Sequence, residues 1–272
     1  LSSQIRTDDS MNKMRTAVEE SLMRLVKILL LLAWCGPLWA NGKLSDDIRL
    51  FSEALGYDLQ YRVYEPEGMH RNSELPALYI TDGQWYISRG KLPALLNREI
   101  AAGNIEPLLV VFVDSRNPDN LQQNRRNQQF FCNPRYVDFF TEELLPAVDK
   151  EYPTSAVRED RVILGLSFGG RNSACFGLMA HDSFAGIAMQ SPANTEMVDE
   201  LRFQYMAQEK LPLKFFMSVG TVNDNTQAGR QFMETLKFQE YDLTYREVNQ
   251  GHDWDNWGPL LDDVLYTFFP AQ

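Results

Sequence analysis

Histidine, cysteine, basic charge and long apolar runs are all scarce in this chain. Its three histidines and three cysteines form no Cys-x-x-Cys pair and no histidine-rich spacing, so no metal site is indicated. Twenty-six Lys and Arg face 37 Asp and Glu, for a net charge of −11. That acidic excess persists when the first 40 residues are set aside, and it argues against nucleic acid or an anionic membrane surface as a partner. With only 16 Gly and 13 Pro, no internal repeat and no low-complexity tract, fibrous, disordered and solenoid architectures are excluded. What is present is a 44% hydrophobic composition over 272 residues, enough to bury a full core within one large domain.

The N-terminus holds the one strongly apolar stretch. In MRLVKILLLLAWCGPLWANG, Met23 to Gly42, Arg24 and Lys27 precede an apolar run from Ile28 to Trp34, and a Gly-Pro break leads to the small residue Ala40. A spanning helix needs roughly 18 to 20 apolar residues, and this run falls well short. The order of basic, apolar and small residues reads as a secretory signal over about residues 23–40, cleaved after Ala40. A lipid-attachment site at Cys35 fits less well, because Trp34 stands where Gly or Ala is wanted. Residues 1–22 match no targeting pattern. The expected organisation is an extension plus signal over 1–40 and a single catalytic domain over 41–272, periplasmic or secreted, with no stable membrane insertion after signal removal. Cys132 and Cys175 could pair in an oxidising compartment, but Cys175 falls on an expected buried helix and no disulfide framework is indicated.

Beyond residue 41, short apolar runs alternate with helical patterns. LQYRVYEP alternates as a strand does, and PALYIT (76–81), LLVVFVD (108–114), RVILGLS (161–167), GIAMQS (186–191), KFFMSVG (214–220) and LTYREVN (243–249) are of strand length. Helices are expected over 92–102, 136–152, 170–180, 225–238 and 257–269. This alternation predicts an α/β fold, a mostly parallel central sheet with helices on both faces. Ligands collect at the carboxyl ends of strands in such sheets.

Ser167 lies at one such end, inside Gly165-Leu166-Ser167-Phe168-Gly169. A sharp strand-to-helix turn brings the residues two positions either side of the serine into collision unless they lack side chains, so the glycines make room for an exposed nucleophile. A Gly-rich turn carrying an inert serine is the plainer reading. A serine needs a base to take its proton. His70 sits in a polar loop away from any strand end, and His181 closes the helix after Ser167, too far along it to reach back. His252, in QGHDWDNW after the last strand, is left. Asp224, in the loop after KFFMSVG, completes the chain order Ser, Asp, His that triads on this kind of sheet follow, although loops also favour Asp for turns. Asp253 and Asp255 are read as solvated or helix-capping charges. The oxyanion donors are expected to be the backbone N–H groups of Phe168 and of Gln84, the latter in TDGQW, where the plainer reading is an Asp-Gly turn.

These residues resemble the esterases of the α/β-hydrolase fold that include enterochelin esterases, esterase D-type enzymes, feruloyl and acetylxylan esterases and mycolyltransferases. The likeness spans roughly residues 57–270. It rests on YITDGQW, on VVFVDSRN with Arg125 or Arg126 following, on YVDFFTEELLPAVDKEYP, RVILGLSFGG, DSFAGIAMQSP and GHDWDNW. The resemblance implies Ser167, Asp224 and His252 as the triad and Gln84 and Phe168 as oxyanion donors. RRNQQFF offers Gln where the family often has Arg-x-x-Glu.

The chemistry expected is ester hydrolysis through an acyl-enzyme, with no metal and no cofactor. Trp85, Tyr86, Arg89, Arg125 and Trp254 are expected to contact substrate, with Phe130, Phe131 and Trp257 as further aromatic walls; core packing is the alternative for each. The expected partner is a small-molecule or polysaccharide-linked ester. A simple carboxylic ester, a feruloyl or acetylxylan ester and a siderophore trilactone all stay open, as do acyl transfer to an alcohol and a non-catalytic binding role on the same fold.

Overall fold

The computed structural model describes residues 42–68 and 73–271. The expected signal at 23–40 and His70 lie outside the described residues.

All seven apolar runs become strands of a nine-stranded sheet. In chain order the strands are β1 (Lys43–Leu44), β2 (Ile48–Ser52), β3 (Tyr57–Glu65), β4 (Ala77–Thr81) and β5 (Leu109–Asp114). A separate hairpin follows, β6 (Arg116–Asn117) with β7 (Asn120–Asn124). The sheet continues with β8 (Arg161–Leu166), β9 (Gly186–Gln190), β10 (Lys214–Gly220) and β11 (Asp242–Val248). Its order is β1-β3-β5-β4-β8-β9-β10-β11, with β2 also on β3. From β5 to β11 every neighbouring pair is parallel, whereas β3 runs antiparallel to β5, β1 and β2.

Strand side chains alternate between two buried faces. Tyr79, Val111, Ile163, Met189 and Phe215 join one core, while Leu78, Val110, Leu164, Ala188 and Phe216 join the other. The second face is covered by α1 (Gly83–Ser88), α2 (Leu92–Ala101) and, at the C-terminus, α9 (Trp254–Trp257) and α10 (Leu261–Phe268). On the first lie α3 (Arg126–Gln129), α4 (Pro134–Asp138), α5 (Leu145–Glu151), α6 (Phe168–Met179), α7 (Thr195–Met206) and α8 (Thr226–Phe238). This is the α/β-hydrolase architecture the sequence predicts.

Two helices differ from expectation where proline intervenes. The helix expected over 136–152 is α4, a π-helical stretch Phe139–Leu144 and then α5. Pro146, at the start of α5, has no N–H to return to the preceding turn, and the wider turn absorbs that loss. Pro259 likewise turns Gly258–Leu260 into a 3₁₀ segment between α9 and α10. The cysteine expectation needs correction. Cys132 and Cys175 are joined, with Cα atoms 5.2 Å apart across a sequence separation of 43, because α6 turns Cys175 toward the segment that leads into α4. Burial of that helix face and a disulfide are compatible.

Candidate active site

Ser167 stands between β8 and α6 with φ 55° and ψ −122°, backbone angles that a non-glycine residue adopts only when its surroundings impose them. The glycines are needed. A Cβ on Gly165 would lie 2.2 Å from the backbone carbon and oxygen of Gly169, and one on Gly169 would lie 2.9 Å from Thr81 Oγ1. The Ser167 N–H donates to the Gln190 carbonyl (2.8 Å), which anchors the turn to the end of β9.

His252 comes from the loop after β11. That loop folds over the end of β10 because Gly220 is bare: a Cβ there would meet the Gln250 carbonyl oxygen at 2.2 Å. His252 Nε2 lies 2.8 Å from Ser167 Oγ, and Nδ1 lies 2.6 Å from Asp224 Oδ1. A carboxylate only accepts, so the proton sits on Nδ1 and leaves Nε2 free to accept from the serine. The edge of the imidazole packs against Trp257, with centroids 5.0 Å apart.

Asp224 is buried and heavily donated to. Oδ1 also accepts from Asn225 N (2.7 Å), while Oδ2 accepts from Ser191 Oγ (2.6 Å), Gly220 N (2.6 Å) and Asn256 Nδ2 (3.0 Å). Burial by itself would raise its pKa; the hydrogen bonds from His252, Ser191 and the two backbone amides outweigh it and hold the carboxyl below its ordinary value. Asp253 is the N-cap of α9, accepting from Asp255 N, in keeping with a capping role.

Phe168 and Gln84 open α6 and α1 respectively, where backbone N–H groups have no intrahelical acceptor. The two helix starts approach each other: a Cβ on Gly169 would lie 2.9 Å from Thr81 Oγ1 and 3.6 Å from Asp82 Oδ2. Asp82, buried and with φ 58°, accepts from Ser115 Oγ (2.8 Å) and Arg126 Nε (2.8 Å). Its pKa is pushed up to about 6 by burial, against the opposing pull of Arg126 and Ser115.

Ser167 and His252 open on a cavity of about 580 Å³ walled by Trp85, Arg89, Arg126, Trp254, Trp257, Asp253 and Asp255. Trp85, Arg89 and Trp254 therefore lie where substrate contact is expected. Two others do not. Tyr86 is fully buried, donates its hydroxyl to Gln190 Oε1 (3.0 Å) and supports Trp254 edge-on at 5.3 Å. Arg125 turns away, its guanidinium over the Tyr57 ring at 4.1 Å and its Nη1 on the Asp58 carbonyl (3.0 Å). Arg126 takes its place, beside the rings of Trp85, Phe130 and Phe168 at 5.1, 5.5 and 5.7 Å. Phe130 is core, and the Phe131 ring packs at a tilt against Phe168 with centroids 5.2 Å apart. Sequence reasoning assigned no role to Asp82, Ser115, Ser191 or Asn256. The only signal for the last two was their place within DSFAGIAMQSP and GHDWDNW.

Among the described residues, no cluster of three or more His, Cys, Asp or Glu could hold a metal ion, and no helix is long and apolar enough to cross a membrane. The family described as "Putative esterase" matches residues 52–268. An uncharacterized protein, YjcH, from Bacillus subtilis is 23% identical over 236 residues, 83% of this chain and 97% of that protein. The iron(III) enterobactin esterase of Yersinia enterocolitica is 28% identical over 166 residues, 59% of this chain, and this match spans only 45% of that longer protein. A ferulic acid esterase from Anaeromyces mucronatus, solved with ferulic acid, superimposes with a TM-score of 0.70 at 18% identity, covering 87% of this chain and 94% of that one.

Proposed function

The chain belongs to this esterase family and is a carboxylic ester hydrolase, and from that premise we propose that Ser167, His252 and Asp224 are its nucleophile, general base and orienting acid. One observation carries the reading: a continuous hydrogen-bonded line from Asp224 Oδ1 through His252 to Ser167 Oγ, 2.6 Å and then 2.8 Å, opening on the cavity. Ser167 attacks the ester carbonyl as His252 takes its proton. The tetrahedral oxyanion is held by the N–H groups of Phe168 and Gln84. His252 then protonates the departing alcohol, and water cleaves the acyl-enzyme by the reverse sequence. Asp224, kept ionised by its donors, stabilises the imidazolium in both halves.

The wall of Trp85, Trp254 and Trp257 with Arg89 and Arg126 suits an ester with an aromatic or otherwise planar acyl group, the chemistry shared by feruloyl and catecholate esters. Residues 41–272 act as one catalytic domain. The basic-apolar-small pattern at 23–40 routes the protein out of the cytoplasm, and the disulfide supports an oxidising compartment.

The test is a substrate panel: p-nitrophenyl esters of increasing chain length, methyl ferulate, acetylated xylan and a catecholate trilactone. Hydrolysis lost in Ser167→Ala, with an aromatic ester preferred, is the expected result. Equal rates on short simple esters and none on the others would retire the aromatic preference. Partition toward an added alcohol would identify acyl transfer. Folded wild-type protein inert toward every ester would leave the binding role.

A further inference from the structure

Ser191 immediately follows β9, in a motif to which the catalytic reading assigns no role. Its side chain is fully buried, and its backbone takes φ 44°, a left-handed conformation that is costly for a non-glycine residue. Such a cost persists only where the surroundings over-determine it. Its backbone N–H still donates to the Ser218 carbonyl (2.7 Å), so the chain stays tied to β10.

The hydroxyl has no freedom. Trp257 Nε1, 2.9 Å away, can only donate, and Asn256 Nδ2 approaches at 3.2 Å. The orientation of that amide is fixed because its other two partners, the Gly251 carbonyl (2.9 Å) and Asp224 Oδ2 (3.0 Å), can only accept. Ser191 Oγ must therefore accept from Trp257 and send its single proton to Asp224 Oδ2, 2.6 Å away. The result is a one-way chain, Trp257 N–H to Ser191 O–H to Asp224. The neighbouring Gln190 clamps the same helix, donating from Nε2 to the Trp257 carbonyl (2.8 Å). The end of β9 thus fixes α9, and with it the floor beneath both Asp224 and His252.

We propose that Ser191 is a positioning residue: its hydroxyl, aimed by the Trp257 indole, fixes the Asp224 carboxylate in the plane of the His252 ring and draws part of its negative charge away from Nδ1. This rests on the triad reading above. Removing the donor leaves Asp224 less restrained, so that His252 is misaimed at Ser167 Oγ and proton transfer slows, and it leaves more charge facing the ring, which favours imidazolium in the resting enzyme and so withholds the base at low pH.

In Ser191→Ala, kcat is expected to fall by about 10- to 100-fold with KM unchanged. The acid limb of kcat/KM should move to higher pH, and the downfield proton resonance of His252 Nδ1–H should shift. Ser191→Cys, which keeps a weak donor, should fall between wild type and Ala in all three, and it carries the test should the Ala variant not fold. Wild-type kcat, or an acid limb unchanged or displaced to lower pH, in a folded variant overturns the role of Ser191. If Ser167→Ala itself retains activity, the triad reading fails, a result distinct from failure at Ser191.

Discussion

Ser167 and Asp82 both hold positive φ angles, 55° and 58°, where a strand end meets a helix start, and Ser191 beside them holds 44°, so backbone strain gathers at the strand ends that build the proposed site. The glycines around Ser167 are then structural requirements. Gly165→Ala is expected to abolish activity and to destabilise the fold by about 3 kcal/mol or more, since the added methyl meets backbone that cannot rotate away; chemical denaturation beside an activity assay checks both. Asp224→Asn keeps the shape but favours the wrong imidazole tautomer, and kcat should drop on the order of 10⁴-fold with little change in KM. Asp82 makes a pH prediction of opposite sign to that of an ordinary salt-bridged carboxylate. Its folded pKa of about 6 lies above the 3.8 of the free side chain, so the folded state holds the proton more tightly. Its contribution to stability therefore falls as pH rises from about 4 to about 6, by roughly 3 kcal/mol at most. Urea midpoints across that window should show this component in wild type and lack it in Asp82→Asn. At this scale the sequence narrowed the choice where chemistry is rare, since three histidines left one candidate base, and its Nε2 lies 2.8 Å from Ser167 Oγ. It was not legible at Arg125 and Arg126, adjacent cations whose directions are set by the start of α3: one stacks on Tyr57, the other reaches Asp82.

Among the elements, the strands were readable because a parallel sheet covered on both faces needs continuous apolar runs, and β4, β5 and β8 are buried along their whole lengths. Helix α7 was missed because its sequence, TEMVDELRFQYM, is mostly polar and buries only Val198, Leu201 and Tyr205. The signal that could have found it was its cap, Asn194 accepting from Met197 N. α1 is too short for any periodicity to register. The disulfide was not legible because spacing alone cannot bring residues 43 apart together. It ties the segment bearing Phe130 and Phe131 to α6, and the Phe131 ring packs at a tilt against Phe168. Closing a loop of that length stabilises by roughly 4 kcal/mol in the chain-entropy account. Reduction, or Cys132→Ser with Cys175→Ser, should lower the urea midpoint accordingly while leaving the Ser167–His252 pair reactive; unchanged stability would mean the bridge does not form in solution.

Over the whole molecule, three neighbouring parallel strands, β8, β9 and β10, deliver Ser167, Ser191 and the Asp224 loop to one rim, and β11 adds His252. The antiparallel strands β1, β2 and β3 extend the opposite edge and contribute none of the four. This division explains why the fold class could be read from strand and helix alternation alone, whereas the cavity wall could not: the wall is assembled from α1, α3 and α9, which are each six residues or fewer. The most direct measurement of the central claim is mass spectrometry after reaction with a serine-directed fluorophosphonate. The account predicts a single adduct on Ser167, absent in Ser167→Ala and strongly slowed in His252→Ala. A folded protein that takes up no label at Ser167, or labels equally fast without His252, would contradict it.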